Sequence, residues 1–178
     1  MIQLSHLHIY PVKSLRGCAI ARAEIDPLGI VGDRRFMVVD ETGRFLTQRT
    51  IPRMALVSTA LTDELLTLSA DRAGAIAVPR TVAAHAPRRT VSVWKSENLQ
   101  TEDCGEAAAA WLGGFLGLKC RLVRIGREFR RPVLKPGKAS DTDAVSFADG
   151  HPFLIVSEAS LADLNDRLVA QRSEVLPM

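Results

Sequence analysis

Short extended segments separated by turns fill most of the first 94 residues, and this pattern constrains the fold more than any other feature. The predicted strands cover residues 4–10, 18–25, 36–40, 44–49, 54–61, 65–69 and 89–94. The run at 36–40 is apolar without alternation, which is typical of a strand buried on both faces. Many short strands at close spacing favour a small β-barrel or a highly curved antiparallel sheet.

Two helices are predicted in the second half of the chain. The first has Asp103 as its N-cap, with Glu106 completing a capping box, and ends before Gly117. The second begins at the N-cap Ser157, after an apolar run at 153–156 that predicts a buried strand. A single strand cannot cover the apolar face of that helix, so we expect the chain to be part of a longer protein.

The predicted fold class is therefore α+β and predominantly β. Residues 1–124 are expected to form the small β-barrel, or curved antiparallel sheet, with one packed helix. Residues 125–178 are expected to form a linker followed by the first strand and helix of an incomplete second domain.

Composition excludes several classes of protein. No apolar run approaches the length of a membrane span, and the N-terminus lacks a signal sequence, so we expect a cytoplasmic protein without membrane association. Three widely spaced cysteines without a Cys-x-x-Cys pair indicate reduced thiols. A net charge of +3 is too small to indicate a nucleic-acid partner, even with the basic segment at 127–138.

The connection at residues 10–17 is the first candidate site. Pro11 ends or bends the preceding strand, and Lys13, Ser14 and Arg16 follow it. A lysine, a hydroxyl and an arginine together can bind an anion. An ordinary exposed polar loop would have the same composition, so these residues alone leave both interpretations open.

Two further stretches could join it. Asp33 can orient Arg34 at the entrance of a strand, although a surface ion pair would give the same pattern. Asp149 and Gly150 could bring backbone and carboxylate close to a ligand, although a simple turn would serve as well. His6 and His8 share one face of a strand, but the sequence places no further ligand to complete a metal site.

Taken in series, these stretches resemble the MOSC family. The motifs are Tyr-Pro-Val-Lys-Ser (10–14), Gly-Asp-Arg-Arg-Phe-Met-Val-Val-Asp (32–40), Phe-Leu-Thr-Gln-Arg (45–49), Asp-Cys-Gly-Glu-Ala-Ala (103–108) and Phe-Ala-Asp-Gly-His-Pro (147–152). The resemblance is to two-part members, in which an N-terminal β-barrel precedes the MOSC domain proper. It runs along nearly the whole chain, in order and with few gaps.

The resemblance implies binding of the molybdenum cofactor, a pterin with a phosphate tail. The best-known members of the MOSC family reduce N-hydroxylated compounds with electrons from a partner protein or a fused iron–sulfur domain. The cofactor-binding residues carried over are Lys13, Ser14, Arg34, Asp149 and Gly150, with Arg49 as a possible addition. Molybdenum ion binding and pyridoxal phosphate binding are further expectations from the family.

The resemblance stops before the part of the family that ligates molybdenum. In the family, a later strand brings a cysteine thiolate to the metal, and none of Cys18, Cys104 and Cys120 occupies that position. No catalytic residue and no metal ligand are therefore assigned. We expect the isolated chain to be inactive and without cofactor. The alternative is a non-catalytic interaction module, which a stop codon after Met178 would favour and a continuing reading frame would disfavour.

Overall fold

The computed structural model describes residues 1–81, 86–134 and 143–176. In chain order its strands are β1 (Leu7–Ile9), β2 (Cys18–Ile20), β3 (Ile25–Asp26), β4 (Gly29–Ile30), β5 (Phe36–Val39), β6 (Ser58–Leu61), β7 (Leu65–Ala70), β8 (Gly74–Pro79), β9 (Arg88–Val93), β10 (Ser96–Asp103) and β11 (Arg121–Ile125). A 3-10 helix (Pro52–Leu56) precedes β6, and the α-helices are α1 (Glu106–Leu116) and α2 (Glu158–Ala170).

The main sheet is antiparallel, with the strand order β5-β11-β10-β9. A second antiparallel sheet, β6-β7-β8, packs with the main sheet around a shared hydrophobic core. The pairs β1-β2 and β3-β4 form two small hairpins. The result is a curled half-barrel with two helices. This confirms the predicted class, a mostly β fold with a curved antiparallel sheet and one packed helix.

β5 is buried on both faces, as its unbroken apolar sequence predicted. Phe36 and Val38 point into a first core, which is shared with α1 and the β6-β7-β8 sheet. Met37 and Val39 point into a second core on the other face. Side chains alternate between the faces of a strand, so a four-residue apolar strand supplies both cores.

The second core is closed by the chain that follows β11. Phe129 and Phe147 pack there against each other, with ring centroids 5.1 Å apart, and against Met37 and Val39. The predicted boundary between residues 124 and 125 stays a prediction, but the segment after it contributes two aromatic rings to the core of the half-barrel.

Helix α1 begins differently from the prediction. β10 continues through Asp103, and the residue that caps the helix is Gly105, with φ of 96° and no capping side chain. The prediction of Asp103 as N-cap is therefore wrong. The predicted helix ending is confirmed, because Gly117 adopts the left-handed conformation (φ 74°) that favours glycine after a helix.

Two other strand predictions, at 44–49 and at 54–61, do not match the structure over their full length. Residues 44–49 make only isolated bridges to neighbouring strands, and the segment predicted as a strand at 54–61 starts inside the 3-10 helix. The sequence analysis also missed β10, whose eight residues are mostly polar and carry no alternating pattern. β10 is a strand because β9 and β11 pair with its two edges.

The predicted buried strand at 153–156 is wrong for this chain. These four residues form no strand, and the relative exposures of Leu154 and Ile155 are 84% and 91%. The helix after them is confirmed, with Ser157 as N-cap accepting a hydrogen bond from the Ser160 backbone N–H, but α2 buries no residue. Without a neighbouring sheet, an apolar segment has nothing to pair with or pack against.

Within the described residues, no helix has the length and apolar character that crossing a membrane requires.

Replacing Asp103 by Asn tests a buried charge cluster that joins β9, β10 and β11. The Asp103 side chain is 2% exposed and accepts hydrogen bonds from Arg89 at 2.8 Å and from Arg121 at 2.7 and 2.9 Å. Loss of the carboxylate charge removes the counter-ion of Arg89 and leaves Arg121 with the exposed Glu106 alone, so Asp103→Asn should lower the free energy of unfolding at pH 7 by about 3 kcal/mol. Urea denaturation measures this.

The pH dependence gives the control. Burial raises the pKa of Asp103, but hydrogen bonds from Arg121, the Gly105 N–H and Arg89 outweigh it and hold the pKa below 3.8. Its stabilisation is therefore present above pH 3.8 and lost as the pH falls through the folded-state pKa. The difference between wild type and Asp103→Asn should shrink below pH 4. Asp71→Asn, at a 94% exposed side chain, should change nothing; equal effects of the two variants would contradict this.

Candidate functional site

Three stretches that are distant in sequence are joined by backbone hydrogen bonds at the start of β5. The Arg34 N–H donates to the Tyr10 carbonyl at 2.8 Å, and the Lys13 N–H donates to the Phe36 carbonyl at 2.9 Å. The Phe147 N–H donates to the Arg34 carbonyl at 3.0 Å. The three candidate stretches from the sequence therefore meet in one place, which we call the Lys13 cluster: Lys13, Ser14, Asp33, Arg34, Phe45, Arg49, Trp94, Arg131, Asp149 and Gly150.

Lys13 is the most buried cation of the three sequence-derived stretches, with 5% of its side chain exposed. Its ammonium group donates to the Phe147 carbonyl at 3.0 Å and to Asp149 Oδ1 at 2.5 Å. It also lies 5.5 Å from the ring centroids of both Phe45 and Trp94. Burial lowers the pKa of Lys13, and the bond to Asp149 opposes that shift only in part.

Asp149 joins Lys13 to the tryptophan. The same Oδ1 atom accepts from Trp94 Nε1 at 2.9 Å, while 58% of the side chain is exposed to solvent. Burial raises the pKa of Asp149, but the hydrogen bond and charge of Lys13 and the Trp94 N–H outweigh it, so the pKa lies below its usual value. The carboxylate is thus ionised at neutral pH and is the counter-ion of Lys13.

Asp33 fixes Arg34, as the sequence suggested. Its Oδ1 accepts from the Tyr10 N–H at 2.8 Å and its Oδ2 lies 2.5 Å from Arg34 Nη2, which also donates to the Pro152 carbonyl at 2.8 Å. The Asp33 side chain is 7% exposed, so this is no surface ion pair. Burial raises its pKa, against the pull of Tyr10 and the arginines. Arg34 Nε is buried and has no hydrogen-bond partner among the described residues.

Three residues of the cluster have a backbone conformation that side chains disfavour. Ser14, Arg34 and Trp94 have φ values of 63°, 48° and 53°. Each costs on the order of 1–3 kcal/mol and persists only where the surroundings enforce it. Such residues concentrate at functional sites, which is an independent reason to regard this cluster as one.

Arg131 was missed by the sequence analysis, which assigned it to a basic loop. The structure buries it to 4% exposure, and its Nη1 donates to the carbonyls of Ser146 at 2.6 Å and Ala148 at 2.5 Å. Its Nε donates to Ser96 Oγ at 3.1 Å. Burial lowers its pKa. Nothing in the local sequence separates it from the neighbouring arginines; residues 135–142 of the same loop lie outside the described part.

Trp94 was also missed as a site residue. It follows β9 at the turn into β10, where it makes an edge contact with Phe45 at 4.8 Å between centroids. The Arg49 guanidinium lies 5.3 Å from the Trp94 centroid, which places this sequence candidate within the Lys13 cluster. The sequence analysis placed residue 94 at the end of the predicted strand at 89–94, where the local pattern did not mark it as a site residue.

The cluster has a surplus of positive charge. Its charged groups are Lys13, Arg34, Arg49 and Arg131 against Asp33 and Asp149, which leaves two positive charges. Gly150 is buried immediately after Asp149. An arrangement of ammonium, guanidinium and indole N–H donors around an excess of positive charge suits a phosphate or another oxyanion.

The cysteines lie elsewhere. Cys120 belongs to the first core and Cys104 packs against it, whereas the Lys13 cluster borders the second core. Burial raises the pKa of Cys104 to about 12 and that of Cys120 to about 11, so both are protonated thiols at neutral pH. Cys104 is a packing residue despite its position before α1. Among the described residues, no three His, Cys, Asp or Glu side chains are grouped to hold a metal ion.

Comparison with known proteins identifies the family. The profile of the MOSC N-terminal beta barrel domain matches residues 1–119. The chain belongs to this family. It is 38% identical over 172 residues to mouse "Mitochondrial amidoxime-reducing component 1", covering 93% of this chain and 50% of that protein. It is 33% identical over 170 residues to zebrafish "Molybdenum cofactor sulfurase", covering 93% of this chain and 20% of that protein.

One solved structure is also similar. A solution structure of a Bordetella bronchiseptica protein has a TM-score of 0.49 and 24% identity, covering 62% of this chain and 92% of that one. The chain spans about half the length of the amidoxime-reducing component and a fifth of the sulfurase. A role within the MOSC family is established. The expected pyridoxal phosphate binding, cytoplasmic location and protein partners stay predictions.

Removing the Arg131 guanidinium should disorder the segment that carries Asp149. In Arg131→Met the carbonyls of Ser146 and Ala148 lose their donor, and buried acceptors without a partner cost about 1–3 kcal/mol each. We expect a loss of at least about 2 kcal/mol in urea denaturation. Arg130→Met, at an exposed neighbour, is the matched control and should remain within 0.5 kcal/mol, about the range of surface substitutions. Equal stability of both variants would contradict this role.

Proposed function

We propose that this chain supplies the phosphate and pterin side of a molybdenum-cofactor site in a MOSC-type oxidoreductase that reduces N-hydroxylated substrates. The observation that carries the proposal is the convergence of Lys13, Arg34 and Asp149, from three distant stretches, on one positively charged cluster. Those are the positions that the family resemblance assigns to the cofactor.

The residues fit the phosphate end of such a cofactor. Lys13 and Arg34 would hold the phosphate, because both present charged N–H donors. Asp149 now neutralises Lys13 from an exposed position. A phosphate could take over that role, since it is an acceptor of the same charge sign, and Asp149 would then be free to accept from polar groups of a pterin.

Trp94 and Ser14 would form the rest of the proposed cofactor-binding surface. The indole ring, held by Phe45 and Arg49, presents a flat apolar surface beside Asp149 that suits a planar heterocycle. The hydroxyl of Ser14 follows Lys13 in the same tight turn and can donate to an oxygen. The chain's own residues therefore bind and orient, and the bound cofactor would supply the two-electron redox chemistry.

The metal end is not provided by the described residues. Both core cysteines are protonated thiols on the far side of the sheet, which disfavours them as molybdenum ligands. Reduction would need the ligands of the longer relatives and an electron donor. The names of those relatives, an amidoxime-reducing component and a molybdenum cofactor sulfurase, support molybdenum-related chemistry in two different forms.

A second candidate is an interaction module without catalysis. The exposed apolar segment at 153–156 and the absence of any buried residue in α2 favour it, because both surfaces would be covered by docking. The two candidates differ in one measurement. A module of this kind has no need of a cofactor-binding Lys13 cluster, whereas the first proposal requires that binding.

Lys13→Ala and Arg34→Ala should each weaken the binding of molybdopterin to the purified 178-residue chain. Each truncation removes a charged contact to the phosphate, which we expect to cost at least about 2 kcal/mol, or roughly thirtyfold in Kd. Fluorescence titration of the pterin measures this. Lys119→Ala, at an 83% exposed lysine, is the matched control and should bind like the wild type.

The same titration separates failure to fold from failure to bind. Arg34→Ala removes the arginine partner of the buried Asp33, which keeps only the Tyr10 N–H as a hydrogen-bond donor among the described residues, so circular dichroism must first show a native spectrum. Trp94→Phe keeps an aromatic ring but removes the indole N–H, and we expect a smaller loss from it. Unchanged affinity in folded Lys13→Ala would overturn the site assignment.

A further inference from the structure

A second arginine cluster lies outside the Lys13 cluster. Three guanidinium groups border a cavity of about 160 Å³ at the base of β5 and the end of β11. The residues lining it are Gly32, Arg35, Phe36, Arg80, Arg124 and Ile125. We call it the Arg124 cavity.

Arg124 is buried with an unused donor. Its side chain is 7% exposed, and Nη1 donates to the carbonyls of Pro79 and Thr81 at 2.6 Å each. Its Nε lies 3.4 Å from Glu102 Oε2, but neither atom has a hydrogen-bond partner among the described residues. The two carbonyl bonds hold the Arg124 guanidinium group in place at the wall of the cavity.

Arg35 repeats this pattern. Nη2 donates to Asp26 Oδ1 at 2.7 Å and to the Ile30 carbonyl at 3.2 Å, while its Nε is buried and has no acceptor in the described part of the chain. In both Arg35 and Arg124, a terminal guanidinium nitrogen is therefore held by carbonyl or carboxylate oxygens, whereas Nε has no hydrogen bond to the described residues. That fixes the two guanidinium planes in advance of any ligand.

Gly32 and Arg80 complete the wall. Gly32 has φ of +89° and lacks a side chain, and a methyl group placed there would lie 3.9 Å from Arg80 Nη2. Arg80 also donates through Nη1 to the Thr62 carbonyl, so its guanidinium is held beside the Gly32 backbone. Glycine is favoured here by this backbone conformation and by Leu61 Cδ2, which a Cβ atom on residue 32 would meet at 2.5 Å.

The local charge favours an anion. Three guanidinium groups face two carboxylates, Asp26 and Glu102, which leaves one positive charge at the cavity. Guanidinium groups match the oxygens of a tetrahedral oxyanion in bidentate geometry. A cavity of about 160 Å³ accommodates a single small group rather than a whole cofactor.

We propose that the Arg124 cavity is a second anion site, which binds a phosphate group through Arg35, Arg80 and Arg124. The phosphate is either the free ion or the terminal group of a small phosphate monoester. None of these residues belongs to the Lys13 cluster. The proposal therefore does not rest on the molybdenum-cofactor function, and either can fail alone.

The test is a titration of the ¹⁵N-labelled 178-residue chain with inorganic phosphate at constant ionic strength, set with sodium chloride. We expect saturable shifts of the Gly32 and Ile125 amide signals. Arg80→Gln should raise the Kd at least tenfold, because one guanidinium of three is lost. Arg72→Gln, at an arginine with 92% of its side chain exposed, is the matched control and should bind like the wild type.

Two further variants keep the result unambiguous. Arg35→Lys retains the charge but removes Nε and the planar fork, so it should also weaken binding while the spectrum stays native. Lys119→Ala, at an 83% exposed lysine, should leave phosphate binding at the Arg124 cavity unchanged. Absence of saturable shifts at Gly32 and Ile125, equal affinity of Arg80→Gln and wild type, or loss of those shifts in Lys119→Ala would each overturn the proposal.

Glycerol 3-phosphate distinguishes the two sources of the phosphate group. Tighter binding than inorganic phosphate, with the same amide shifts, would identify a monoester as the ligand. Binding of inorganic phosphate alone would identify the free ion. Both results support a phosphate site, whereas binding of chloride with equal affinity would overturn it.

Discussion

The burial of β5 on both faces is the constraint on which the rest of the molecule depends. Four consecutive apolar residues, Phe36–Val39, send alternate side chains into two cores, so each face must be covered. Helix α1 and the β6-β7-β8 sheet cover one face. The chain after β11 covers the other through Phe129 and Phe147. The same segment after β11 also brings Asp149 to Lys13, so the packing of β5 and the geometry of the site depend on the same part of the chain.

The site is held in a conformation that its own residues oppose. Lys13 keeps a buried ammonium group between a carbonyl, a carboxylate and two rings, and burial lowers its pKa. Ser14, Arg34 and Trp94 take left-handed backbone conformations. The two cores, and the Arg131 guanidinium that donates to two carbonyls of the Asp149 segment, offset the free-energy cost of these conformations. Stability is thereby traded for a fixed set of charges directed at one location.

Local sequence predicted those elements whose pattern survives without a partner. The unbroken apolar sequence of β5 indicated its burial, and the helix ending at Gly117 and the Ser157 cap depend on neighbours in the chain. Prediction failed where a distant segment decided the outcome. The polar segment β10 is a strand because β9 and β11 pair with its two edges. The apolar segment 153–156 is not a strand, because no described segment pairs with it. Asp103 caps no helix because two distant arginines engage its carboxylate.

The sequence by itself determined the family, the mostly β class and the identity of Lys13, Ser14, Arg34, Asp149 and Gly150 as candidates, because motifs and backbone propensities are local. Only the tertiary structure decided that these stretches meet, that Trp94 and Arg131 belong with them, and that Arg35, Arg80 and Arg124 line one cavity. The physical reason is range. A turn or a cap is fixed within a few residues, whereas burial, ion pairing and unsatisfied hydrogen bonds arise between segments separated by up to 136 residues, as in the Lys13–Asp149 pair.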